Sequence, residues 1–209
     1  MIRILIVDDH AIVRRGLIQI LADEQDINVS ETADPHEAVS LIRKRVWDLV
    51  VLDLDLPGKS GLDLLKEMKR ERPRLPVLIL SFYPQDQFAM RTLRAGAAGF
   101  MSKDAAPEEL VKAIRKIVRG GKYISEQVAE SLVSDLNTKA KETPHEVLSD
   151  REFQILRLFG AGKTVKDIAE QLSISTPTVS TYRARILKKT GMKTTAEMVR
   201  YAIQSRLVP

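Results

Sequence analysis

Short apolar runs alternate with amphipathic segments through the first 121 residues of the chain. The runs at 2–7, 27–33, 49–52, 76–80 and 99–101 read as strands. Leu49-Val-Val-Leu52 and Val77-Leu-Ile-Leu80 have no polar face, which suits strands covered by helices on both sides of a sheet. Between them lie helical spacings at 12–21, at 36–44 with Pro35 at the start, at 61–70 with Leu62, Leu65 and Met68 on one face, at 86–95, and at 107–118. Gly120-Gly121 ends the last of these. Five strand–helix units in regular alternation predict an α/β fold, with a five-stranded parallel sheet wound on both faces.

In such a sheet, ligands bind beyond the carboxyl ends of the strands. The first strand ends in Asp8-Asp9, the third in Asp53, the fourth in Ser81, and the fifth near Lys103. Three carboxylates at one edge repel one another unless a cation lies among them, and a hard ion held by oxygens and water suits Mg²⁺. With an ammonium and a hydroxyl added, the set has what in-line phosphoryl transfer to a carboxylate requires. Asp53 alone is equally a turn-initiating residue before Pro57-Gly58. His10, next to the acids, reads as a ligand or, more readily, as capping or packing beside the first helix, and Gly96 and Gly99 as relieving tight turns.

The pattern changes after residue 121. Residues 125–136 keep helical spacing, and 137–145 are polar and contain Pro144, which predicts a linker across 122–147. From Leu148 the chain reads as four helices. Ser149 and Glu152 form a capping box before a face of Phe153, Leu156 and Phe159, with Gly160 and Gly162 closing it. Thr164 caps a second helix that turns Ile168, Ala169 and Leu172 inward. Ser175-Thr-Pro177 opens a third, whose inner side is Val179, Ile186 and Leu187, and the fourth occupies 195–204. The spacing is that of a helix-turn-helix.

Charge sharpens this division. Residues 1–121 hold 19 Lys and Arg against 18 Asp and Glu, whereas residues 148–209 hold 11 against 5. The last third therefore suits a polyanion, and its third helix carries polar and basic groups of the kind the major groove accepts. Thr164, Lys166, Arg183, Arg185, Lys188 and Lys189 are candidates for phosphate contacts, although the helical phase of Arg185 turns it from the DNA. Ser180, Thr181 and Ala184 are candidates for base edges. The chain has no Cys, which excludes disulfides and thiolate chemistry. No run is long enough to span a membrane, and no signal-peptide layout follows Met1. A cytoplasmic protein without membrane partners is expected.

On Asp8, Asp9, Asp53, Ser81, Phe100 and Lys103, with the Leu56-Pro57-Gly58 turn and Gly61, residues 1–121 resemble the receiver domain of two-component response regulators. Residues 148–206 resemble the LuxR-type DNA-binding domain of the NarL/FixJ class. That frame is Leu148-Ser-x-Arg-Glu152, Gly162-Lys-Thr, Asp167-Ile-Ala169, Thr178-Val179, Arg183, Ile186-Leu-Lys-Lys189 and Gly191. The resemblance implies a flavodoxin-like receiver phosphorylated on Asp53 by a sensor histidine kinase. It also implies Mg²⁺ held by Asp8, Asp9, Asp53 and the Asp55 backbone carbonyl, with Ser81, Phe100 and Lys103 as the switch. Double-stranded DNA is the implied partner, bound by a homodimer, and no enzyme activity on other substrates is expected. Asp55, Gln154, Ser180, Tyr182 and Thr190 depart from common family residues. Two rival readings remain: a constitutive DNA-binding dimer, and an Asp-x-Asp phosphatase resembling the haloacid-dehalogenase type on Asp53 and Asp55.

Overall fold

A computed structural model describes residues 1–82, 85–125, 129, 143–205, 207 and 208, with the backbone alone at 85–87. The helix expected at 125–136 and most of the polar stretch after it lie outside the described residues. The chain divides into two compact units, Met1–Leu132 and Val133–Pro209.

In the first unit the strands are β1 (Ile2–Val7), β2 (Ile27–Thr32), β3 (Leu49–Asp53), β4 (Val77–Ser81) and β5 (Gly99–Ser102). They form one parallel sheet in the order β2-β1-β3-β4-β5. The helices α1 (Ala11–Ala22), α2 (Pro35–Lys44), α3 (Gly61–Glu71), α4 (Gln85–Arg94) and α5 (Pro107–Val118) alternate with them. All five residues of β3 and of β4 are buried, as their unbroken apolar runs require. One face of the core joins Ile4, Ile6, Leu49, Val51 and Leu78 to Leu17 and Leu21 of α1 and to Leu110, Ile114 and Ile117 of α5.

The order reverses between β1 and β3, so their carboxyl ends flank a crevice, and Asp8 and Asp53 stand at its mouth. Behind Asp53 the chain turns through Gly58, at φ +73°. Gly61 then donates its N–H to the Leu54 carbonyl at 3.0 Å and opens α3. A Cβ on Gly61 would lie 2.3 Å from the Asp53 carbonyl oxygen and 2.5 Å from Leu54 Cα. Only glycine lets α3 start this close to the acceptor strand.

Two local expectations are corrected. Gly96 does turn the chain, at φ +98°. Gly99 lies within β5 instead, where a Cβ would stand 2.6 Å from the Tyr123 carbonyl oxygen. Tyr123, placed in the connection by its position, bridges in parallel to Gly99 and exchanges backbone hydrogen bonds with Ala98 and Phe100. Close backbone approach, rather than a turn, explains that glycine.

The second unit contains α6 (Asp150–Gly160), α7 (Val165–Gln171), α8 (Thr176–Thr190) and α9 (Thr195–Gln204). The capping box at Ser149 and Glu152 is formed, and Thr164 makes a second one with Asp167. Ser175 and Thr194 cap the last two helices. Phe153, Leu156, Phe159, Ile168, Val179, Ile186 and Met198 are buried, while Leu187 is half-buried. Gly160 sits inside α6, where a Cβ would meet the Ala202 methyl at 2.6 Å, and Gly162, at φ +77°, ends the turn. His145, ahead of the first cap, pairs through Nδ1 with the Tyr201 hydroxyl at 2.6 Å and packs against the Phe153 ring.

The added methyl of Gly61→Ala meets backbone rather than yielding side chain. The substitution is predicted to lower the first unit's unfolding free energy by about 1–3 kcal/mol, measured by urea denaturation. An unchanged midpoint would contradict the close approach at Asp53.

Candidate phosphoacceptor site and nucleic-acid interface

Asp8 and Asp53 are 2% and 3% exposed, so their carboxylates have little access to water. Lys103 lies between them: its Nζ is 2.7 Å from Asp8 Oδ2 and 2.7 Å from Asp53 Oδ2. The reach is set by backbone, because the Lys103 N–H donates to the Ser81 carbonyl at 2.9 Å and so fixes the chain after β5 against the end of β4. The Lys103 ammonium also stands 5.2 Å from the centroid of the exposed Phe82 ring. Ser81 is fully buried, and Phe100 is already inside the core at 1% exposure.

Burial dominates the electrostatics of Asp53. It pushes the carboxyl from its ordinary 3.8 up to about 6; Lys103 opposes the rise, and Asp8 and Asp55 add to it. Burial also opposes the charge on Lys103, but attraction to Asp53 and Asp8 prevails and its pKa is raised. One ammonium thus serves both carboxylates.

Asp9 completes the oxygen set, with its side chain 32% exposed. Its Oδ1 is shielded from solvent without an aligned hydrogen-bond donor. Ligand atoms of Asp8, Asp9, His10 and Asp53 all lie within 4.8 Å of one another. Three carboxylates converging at this spacing, with His10 beside Asp9, fit a hard divalent cation such as Mg²⁺. His10 lies beside the first helix, as one reading expected, and next to the acids, as the other did. It holds the N-cap position of α1 without a side-chain cap bond, and its Nδ1 stands 2.8 Å from Asp9 Oδ1. Arg14, which was not singled out, donates to the Asp8 carbonyl at 2.7 Å and pairs with Glu31.

In the second unit, α8 packs on α6 and α7 through Val179 and Ile186. Thr181, Ala184, Arg185 and Lys188 follow one another at helical spacing on the opposite, exposed side. Arg185 lies on the exposed face with its guanidinium 5.8 Å from the Tyr182 ring centroid, while Arg183, four residues after Val179, is half-buried. Ser180 is half-buried as well, and Lys166 and Thr164 are exposed at the start of α7. Lys189 has another engagement, with Nζ 2.7 Å from Oε2 of the buried Glu152. Burial works against the Glu152 charge, but Lys189 and the Ser149 donors outweigh it and hold its pKa below the ordinary 4.5. That ion pair ties α8 to the first turn of α6 and competes with a phosphate contact.

The shift at Asp53 has a measurable consequence. A rise from 3.8 to about 6, at about 1.4 kcal/mol per pKa unit, disfavours the buried carboxylate by roughly 3 kcal/mol. Between those two values the folded chain holds more of the proton than the unfolded chain. Stability therefore falls as pH rises through that window, and the penalty is complete above about pH 6. Asp53→Asn is predicted to raise stability in Mg²⁺-free buffer at about pH 7 by about 1–3 kcal/mol, an advantage that fades toward about pH 4. Thermal melts at both pH values check this; no gain at neutral pH, or the same gain in acid, would contradict it.

Comparison with known proteins agrees with both halves of this geometry. Residues 4–115 match the model of the response regulator receiver domain, and residues 146–202 match that of the luxR family of bacterial regulatory proteins. The chain is 36% identical to response regulator GacA of Pseudomonas aeruginosa over 210 residues, covering 100% of this chain and 98% of that one. It is 35% identical to response regulator UvrY of Escherichia coli over 209 residues, covering 99% and 96%. A structure of the response regulator RcsB of Salmonella typhimurium, described for its conformational dynamism in DNA interaction, superposes with a TM-score of 0.62 at 28% identity, covering 96% of this chain and 98% of that one. An RcsB–DNA complex superposes with a TM-score of 0.59 at 27% identity, covering 99% of each chain. The chain belongs to the two-component response regulators in which a receiver domain is followed by a LuxR-type DNA-binding domain.

Proposed function

We propose that this regulator is switched by phosphorylation of Asp53, and that the Lys103 ammonium shared by Asp8 and Asp53 is the observation that carries the reading. A sensor histidine kinase is the donor. An Asp53 oxygen forms a bond to phosphorus as the bond from phosphorus to the kinase's histidine nitrogen breaks, which leaves an aspartyl phosphate. Asp8, Asp9, Asp53 and the Asp55 backbone carbonyl would hold Mg²⁺, which when bound neutralises charge on the phosphoryl oxygens. Lys103 and Ser81 then turn to the new phosphoryl oxygens. Phe100, buried beside them, shifts as the strand-end loops repack. The chain's own chemistry is limited to gaining and losing this group, and it is not an enzyme toward other substrates.

The output is double-stranded DNA bound by a homodimer, two copies of α8 entering successive major-groove half-sites. Thr181 and Ala184 face base edges, with Ser180 at the margin of that face. Arg185 and Lys188 contact phosphates beside it, with Thr164 and Lys166 doing so from the start of α7. Arg183 and Lys189 serve the interface from its inner border. Both the kinase's donor histidine and the DNA are met in the cytoplasm; among the described residues no helix is long and apolar enough to cross a membrane.

The test is the intact mass of the full chain after incubation with acetyl phosphate, a small acyl phosphate donor. One phosphoryl adduct is expected with Mg²⁺, none with a chelator and none in Asp53→Ala, together with at least ~10-fold tighter DNA binding by the phosphorylated chain. DNA affinity that is equal in both forms would support the constitutive dimer, and steady turnover of surplus donor would support the phosphatase.

A further inference from the structure

A cavity of about 500 Å³ opens in the receiver where the chain enters β3 and β4, at the end of the sheet remote from Asp53. Volumes of roughly 300–1,000 Å³ are those that take small ligands. Its floor is apolar, formed by the buried Ile42, Trp47 and Leu75. Trp47 is held in place by its Nε1–H, which donates to the Leu41 carbonyl at 3.1 Å. A second recess of about 370 Å³ shares Arg45, Val46 and Trp47 with the first, and Val46 is 59% exposed where they meet.

The rim is cationic. Arg45, Arg72 and Arg74 are all exposed around the cavity. Glu71, the acid on the rim, is engaged by Arg43. Arg72 donates to a neutral acceptor, the Arg43 carbonyl, at 3.3 Å. Among the described residues neither Arg45 nor Arg74 has an ion-pair partner. Guanidinium groups do not lose their proton in a protein, so this concentration of charge over an apolar floor persists until an anion meets it. Their planar forks match the paired oxygens of a phosphate.

We propose that this cavity binds a small phosphorylated ligand bearing a flat ring, of the nucleoside di- or triphosphate class. Arg45 and Arg74 hold the phosphates, and the ring lies over the floor beside Trp47. The position leaves Asp53, Asp8 and Lys103 free, so binding requires neither the divalent ion nor the phosphoryl group.

Trp47 is the single tryptophan of the chain, and its emission therefore reports on the site directly. The full chain is titrated with ATP in Mg²⁺-free buffer, following Trp47 fluorescence and, separately, heat by calorimetry. Saturable binding is expected, weakened at least ~10-fold by Arg45→Ala and by Arg74→Ala, and retained in Asp53→Asn. Both arginines are exposed, and melting temperatures within a degree or so of the parent's confirm that the variants fold. Inorganic pyrophosphate is expected to bind more weakly than ATP, because it lacks the ring. No saturation up to millimolar ATP would overturn the proposal, as would ATP binding undiminished in both arginine variants, which places it on other basic surface. Pyrophosphate binding as tight as ATP would overturn the ligand class. Arginine-dependent binding of duplex DNA without binding of ATP would overturn it in favour of a macromolecular polyanion.

Discussion

The ammonium of Lys103 is what allows two carboxylates to sit almost dry at one edge of the sheet. Asp8 and Asp53 are brought together by the parallel pairing of β1 with β3, and the pairing of β4 with β5 delivers Lys103 to them. Remove the positive charge and the two acids repel each other in a place that water reaches poorly. The site is therefore electrostatically unfinished by construction. Burial, with Asp8 and Asp55 adding to it, holds Asp53 well above the ordinary carboxylate range against the pull of Lys103. A switch needs an element with two competing arrangements, and a shared ammonium supplies one.

The second unit uses the same economy of charge for a different end. Glu152 caps α6 through Ser149 and also takes the ammonium of Lys189 from α8. One buried carboxylate thus ties the first helix of the domain to α8. With α8 anchored on its inner side by Val179 and Ile186, its outer side is left to Thr181, Ala184, Arg185 and Lys188. Small side chains at two of these positions and cations at the other two are the mixture that a DNA groove accepts.

Much of this was legible in the order of residues. Unbroken apolar runs at Leu49-Val-Val-Leu52 and Val77-Leu-Ile-Leu80 announced buried parallel strands, and the acids, Ser81 and Lys103 could be placed at one edge because strand ends collect there. Caps at Ser149, Thr164 and Ser175 were readable since each is a local backbone requirement. What could not be read depended on contacts distant in sequence. Gly99 answers to Tyr123, Lys189 to Glu152, and the two arginines of α8 to a helical phase fixed by packing. The cationic rim at Arg45 and Arg74 escaped notice for the same reason: its two loops are separated in the chain and adjacent only in the fold.

The central claim is that Lys103 converts a phosphoryl group on Asp53 into a change in DNA binding. The most direct measurement is the DNA affinity of a Lys103→Met chain before and after stoichiometric phosphorylation in Mg²⁺ buffer, with folding checked by circular dichroism and phosphorylation by intact mass. The account predicts that the variant accepts the phosphoryl group yet gains no affinity, while the parent chain gains at least ~10-fold under the same conditions. A phosphorylated Lys103→Met chain that gains as much as the parent would show that the signal leaves Asp53 by a route that does not pass through this ammonium.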